Sequence, residues 1–142
     1  MKKLVTLFYG MVLLSLPQTI MAQEVDFKWA KSAGGSNDDT GNRIAVDDLG
    51  NTYITGYFRE IATFGDISLT SQGENDIFIV KLDPNGDFEW VKSAGGENED
   101  FARDIAVDNQ GNVYVTGSFS GTATFSSTSV MSVGAVIFSL LN

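Results

Sequence analysis

Oxygen ligands stand at alternate positions through Asp83-Pro-Asn85-Gly-Asp87-Phe-Glu89, the spacing with which a calcium-binding loop opens. Such a loop closes on a bidentate carboxylate at its twelfth position, and here that position holds Ala94. The same residues also form a turn, with Asp83 first and Gly86 fourth. The turn accounts for more of the pattern; Asp83, Asn85 and Asp87 stand beside it as a candidate calcium site. A second group of acids is Asp38 and Asp39, echoed by Glu99 and Asp100, each pair following a double glycine. On exposed loops these acids would attract a cation, a basic peptide or an amine-bearing glycan. The plainer reading has Asp39 and Asp100 accepting nearby backbone N–H groups.

Catalysis has few other routes. The chain contains neither histidine nor cysteine, which removes the commonest general base, the usual nucleophile pairs and most zinc sites. Two acids in a cleft still suffice for glycoside hydrolysis, so a carboxylate-dependent carbohydrate-active enzyme is the alternative to a non-enzymatic module. Trp29, Trp90, Tyr53, Tyr57 and Tyr114 could stack on sugars, but their strand positions and partial recurrence point to packing between sheets. Arg43, Arg59 and Arg103 are isolated. Gly34-Gly35 and Gly95-Gly96 belong to no nucleotide-binding pattern and read as sharp bends.

The elements that must position these residues repeat. Trp29-Ala-Lys-Ser-Ala-Gly-Gly35 recurs as Trp90-Val-Lys-Ser-Ala-Gly-Gly96, a period of 61, and Asp26–Gly73 aligns on Asp87–Gly134 without a gap, 26 of 48 pairs being identical. A fixed period of this kind marks stacked supersecondary units that depend on their neighbours for burial. Within one unit, Ile44–Asp47 and Asn51–Phe58 flank Asp48-Leu-Gly50 as a hairpin. A longer connection punctuated by Phe64, Gly65 and Gly73 follows, then strands at Asp76–Asp83 and Asp87–Ser93 around Pro84-Asn-Gly86. Three turns share Asp first and Gly fourth, the chemistry of a type I turn with a bulge glycine.

These strands are apolar on both faces. Ile77 and Ile79 oppose Phe78, Val80 and Leu82, and Val113 and Val115 oppose Tyr114 and Thr116. A sheet of that kind must be covered on both sides, and four-stranded antiparallel sheets stacked around an axis achieve it. The fold class expected is all-β, a β-propeller.

The blocks W-x-K-S-A-G-G, I-A-V-D-x-x-G-N-x-Y-x-T-G-x-F, A-T-F and G-x-x-D-I-F-x-x-K-L-D-x-x-G together resemble the bacterial β-propeller repeat called SBBP, found in secreted and surface proteins. The resemblance covers nearly all of residues 26–142, as two repeats, 26–86 and 87–142. It implies a many-bladed propeller and an extracytoplasmic setting, and it implies no particular reaction.

The strand count falls short of a propeller. Residues 26–34 supply one outer-type strand, 43–95 a full four-strand unit and 104–141 three more, about two blades in all. A propeller has roughly four to eight. The chain is therefore expected either as a truncated fragment with missing blades, or as a homo-oligomer in which strand 26–34 latches across subunits of a closed ring. The last strand is irregular too: Gly134-Ala-Val-Ile-Phe138 echoes Gly73-Glu-Asn-Asp-Ile-Phe78 one residue short, without the Asp.

Residues 1–22 stand outside the repeat. Lys2 and Lys3 precede the apolar run Leu4–Leu16, Pro17 breaks it, and Ala22 precedes Gln23. This reads as an N-terminal signal helix cleaved after Ala22, the run being shorter than the roughly 18 residues of a membrane span. Cleavage leaves one domain, 23–142, and takes the formal charge from −9 to −11. So acidic a chain is repelled by nucleic acid and anionic membrane. The expected role is a secreted or cell-surface scaffold, adhesion or interaction module whose partner is an extracellular protein or glycan, with no cofactor beyond the candidate calcium.

Overall fold

Asp47, Asp83 and Asp108 each start a hairpin in which the glycine three residues on returns its N–H to the aspartate carbonyl at 2.9–3.0 Å. Those glycines, Gly50, Gly86 and Gly111, have φ of 84–86°, the left-handed region that only glycine enters without strain. The turns set the strand registers. The structure, a computed structural model, describes residues 24–132 and the backbone of 136–140; the signal segment lies outside the described residues.

Among the described residues ten strands follow in order: β1 (Ala33–Gly34), β2 (Thr40–Val46), β3 (Thr52–Phe64), β4 (Ile67–Leu82), β5 (Phe88–Gly96), β6 (Asp100–Val107), β7 (Val113–Phe119), β8 (Thr122–Phe125), β9 (Thr128–Met131) and β10 (Val136–Leu140). No helix occurs among the described residues. Strands β2-β3-β4-β5 form a complete antiparallel meander, the first blade. Strands β6-β7-β10 form three strands of a second blade, β10 at its edge.

The longer connection expected between residues 59 and 75 is instead a continuation of the β3–β4 hairpin. Beyond a shift between Arg59 and Ile61, Ile61–Phe64 pair with Ile67–Thr70 around a tight turn at Gly65. Alternating β-branched and aromatic residues in Ala-Thr-Phe-Gly-Asp-Ile-Ser-Leu-Thr favour pairing over a loop. The hairpin β8–β9 is its counterpart 61 residues later.

This extension joins the blades. The end of β5 runs on past β4 and pairs with β8, Ala94 opposite Phe125 and Gly95 opposite Thr124. Shifting by 61 gives Ala33 opposite Phe64 and Gly34 opposite Thr63, the pairing of β1 on β3. Residues 33–34 thus hold the place that an outer strand of a preceding blade would occupy, and they are the one part of 26–34 that pairs as a strand. The double glycines are crossings rather than bends. A β-carbon on Gly96 would stand 2.0 Å from the Thr122 carbonyl oxygen, so the close approach of two backbones requires glycine there.

Alternation sorts the core into two layers. Tyr53, Ile77, Ile79 and Ala94 of the first blade pack on Ala102, Ile105, Val113 and Val115 of the second. On the other face, Phe58, Phe64, Phe78, Val80, Leu82 and Val91 form a second cluster, partly covered by Trp29. A buried Ile, Leu or Phe contributes about 1.5–3 kcal/mol, so both layers matter to stability.

The final strand sits in another register than its sequence predicts. Val136 lies opposite Gly117 where Phe78 lies opposite Gly56, so Phe138 takes the place of Val80 rather than of Phe78.

Candidate functional site

The turn aspartates are fully engaged. Asp83 Oδ1 accepts the N–H groups of Asn85 and Asp87 at 2.8 and 2.9 Å, and its Oδ2 accepts the Asn85 amide at 3.2 Å. The Asp87 carboxylate turns away to pair with Lys31 Nζ at 3.0 Å. The structure therefore gathers Asp83, Asn85 and Asp87 on one turn, but aims an amide N–H of Asn85, not its oxygen, at Asp83. Backbone donation from Asp87 is the main force holding the Asp83 carboxyl below its usual range, helped by Asn85 and Gly86.

The equivalent turns go further. Asp108 accepts from the backbone of Gln110 and Asn112, from the Asn112 amide at 2.8 Å and from the Tyr114 hydroxyl at 3.1 Å. The Asn112 amide is the largest of the influences that lower its pKa. Asp47 repeats the set with Leu49, Asn51 and Tyr53.

The acidic loops lie together at the opposite end of the sheets. Thr40, Tyr57, Ile77 and Ala94 face one another across β2 to β5, so segments 35–39, 58–60, 72–76 and 96–100 share one end. There each pair of acids divides its labour. Asp39 clamps the Gly35 N–H with one oxygen and the Arg59 N–H with the other. Sixty-one residues on, Asp100 accepts Gly96 N–H at 2.7 Å and Ser120 N–H at 3.2 Å. Each carboxylate ties the crossing strand of one blade to the hairpin of the next. The partners Asp38 and Glu99 face solvent, with Glu60, Glu74 and Glu97 nearby. Asn37 donates to Glu60 at 3.0 Å.

One acid of this end was not singled out from the sequence. Asp76 is fully buried, accepts the Gln72 N–H at 3.1 Å through Oδ2, and leaves Oδ1 without a hydrogen-bond partner. A β-carbon on Gly95 would stand 2.7 Å from Asp76 Oδ1 and 2.9 Å from Asp100 Oδ2, so the two carboxylates crowd one small space. Burial raises Asp76 to about 6 against the pull of the Gln72 N–H, and the charge of Asp100 adds to the rise. Burial raises Asp100 as well, opposed by its two N–H donors. The available signal was an acid opening an apolar strand, Asp76-Ile-Phe-Ile-Val. Both acids are sealed from solvent, so this pair is not one a polysaccharide could reach.

The aromatic residues sort by blade face. Tyr53 and Trp90 lie 6.2 Å apart on the face toward the second blade, and Tyr57 meets Phe101 of that blade edge-on at 5.0 Å. Trp29 sits over Gly86 on the opposite face. Arg43 reaches Asp104 only at 3.9 Å, and Arg103 lies over the Phe101 ring.

Comparison with known proteins agrees with the geometry. The profile of the SBBP β-propeller repeat matches residues 28–57 and 89–118. An uncharacterized WD repeat-containing protein of Acanthamoeba polyphaga mimivirus is 32% identical over 113 residues, covering 67% of this chain. The chain spans 8% of that relative's length. The second matched segment begins on the tryptophan-bearing strand β5, crosses between blades through Gly95-Gly96 and ends within the next blade's hairpin, and the first repeats this from its paired Ala33–Gly34 onward, so this chain carries two repeats of the SBBP β-propeller family.

Proposed function

We propose that this protein is an extracytoplasmic interaction module that works by recognition rather than catalysis, through the acidic end of its blades. The observation that carries this reading is the split within each acid pair: Asp39 and Asp100 hold backbone, which leaves Asp38 and Glu99 exposed at matching places on successive blades. With Glu60 and Glu97 they make a negative surface on a chain of formal charge −9. A partner suited to it is cationic, a basic peptide or an amine-bearing glycan. Its attraction weakens with salt, because exposed charges are screened beyond about 10 Å at 0.1 M.

The test uses the secreted full chain, with mass spectrometry expected to find Gln23 at its amino terminus. Immobilised protein is probed with polylysine and with chitosan, dextran serving as the neutral control. Asp38→Lys with Glu99→Lys is expected to weaken the cationic probes at least tenfold while leaving the melting temperature in place. Equal retention by the charge-reversed protein overturns the reading. So does release of reducing sugar from a polysaccharide panel.

A further inference from the structure

We propose that the open face of the first blade docks a second copy of this chain, which presents the outer face of its β6-β7-β10 sheet. The argument is a comparison of positions 61 residues apart. Ile105 is 7% exposed because the first blade covers it, whereas its equivalent Ile44 is 63% exposed. Val46 is 58% exposed, and its equivalent Val107 is packed against the core between the blades. The reverse holds on the other side of each sheet. Tyr53 is completely buried under the second blade, while its equivalent Tyr114 is 42% exposed. Ala45 packs against that core, and Ala106 faces solvent.

The chain therefore contains one finished blade-to-blade interface and both halves of a second. The open half shows Ile44, Val46 and Ile54, beside a cavity of about 260 Å³ between Trp29, Phe64 and Phe88. The complementary half shows Ala106, Tyr114 and Thr116, which repeat Ala45, Tyr53 and Thr55 of the finished interface. A surface of this chemistry already covers the equivalent apolar residues within the chain, which is why a second copy is the occupant. The β10 edge adds to the case, because among the described residues no strand pairs with its far side, where β5 flanks β4 in the complete blade. The contact is head-to-tail, so each copy keeps one half free for the next, and the series closes as a ring if the rotation permits.

Two variants block opposite halves. Ile44→Asp with Val46→Asp charges the open face, and Ala106→Lys charges the complementary face; all three positions are exposed. Light scattering on the secreted wild-type chain at micromolar concentrations is expected to give a discrete multiple of the chain mass. Each variant alone is expected to run as a monomer with an unchanged circular dichroism spectrum, and an equimolar mixture of the two as a dimer, since each retains the half the other lacks. Ile44→Thr with Val46→Thr, a milder change, is expected to weaken association at least tenfold and serves if the charged pair misfolds. A monomeric wild type overturns the proposal, as do variants that remain associated or a mixture that stays monomeric.

Discussion

Asp100 accepts the Gly96 N–H at 2.7 Å across the boundary between two blades. The same carboxylate holds Ser120 of the second blade, so one buried side chain fastens a crossing strand to the sheet it enters. Asp39 does so for Gly35 and Arg59.

Asp100→Ala leaves the buried Gly96 N–H without its acceptor and frees the Ser120 N–H to water, and is expected to cost about 1–3 kcal/mol. Asp39→Ala, at a half-exposed position, costs less because water replaces the carboxylate. Urea denaturation of the two variants checks the order.

The turn acids predict a smaller, repeated loss. Asp108→Ala removes four hydrogen bonds at a turn open to water and is expected to cost stability, though less than Asp100→Ala does. Asp108→Asn retains an acceptor oxygen and recovers part of it. Thermal melts on both variants give the comparison.

Asp76 sets a pH dependence with a definite sign. Its folded pKa, about 6, lies above the ordinary 3.8, so its charged form is the disfavoured one in the native state. Stability therefore rises as pH falls through 6, and the gain is complete near the unfolded value. Asp83 and Asp108 shift the other way, and their contribution is lost below about pH 4. The melting temperature is expected to peak between these limits. Between pH 7.5 and pH 5 the gain is about 1–2 kcal/mol, and Asp76→Asn flattens that slope.

Calcium has little to gain at Asp83, because both carboxylate oxygens already accept hydrogen bonds. Titration calorimetry is expected to register no binding heat, and millimolar calcium no rise in melting temperature. A rise abolished by Asp87→Asn would establish the site instead.

The sequence made the turns legible, because Asp first and Gly fourth is a backbone requirement carried by residue type. The sorting of Ile77 and Ile79 from Phe78, Val80 and Leu82 was legible for a related reason, the twofold period of a strand. The hairpin extension at 61–70 was hidden by reading Gly65 as loop punctuation, though it is the turn itself. The register of β10 was hidden because a two-residue slip keeps every side chain on its face, so Phe138 could be matched to Phe78 without disturbing the pattern. Asp76 escaped notice because its environment is assembled from Gln72, Gly95 and Asp100 across separate strands, which spacing along the chain does not encode.

The rungs between β5 and β8 make neighbouring blades mechanically inseparable. Melting the second blade takes the β8 rungs from Ala94, Gly95 and Gly96 and leaves only Ala94, through Ile77, still paired, so damage in one blade spreads to the next. Cooperativity here is a property of neighbours, and lengthening such a protein by further blades would raise its resistance to heat step by step.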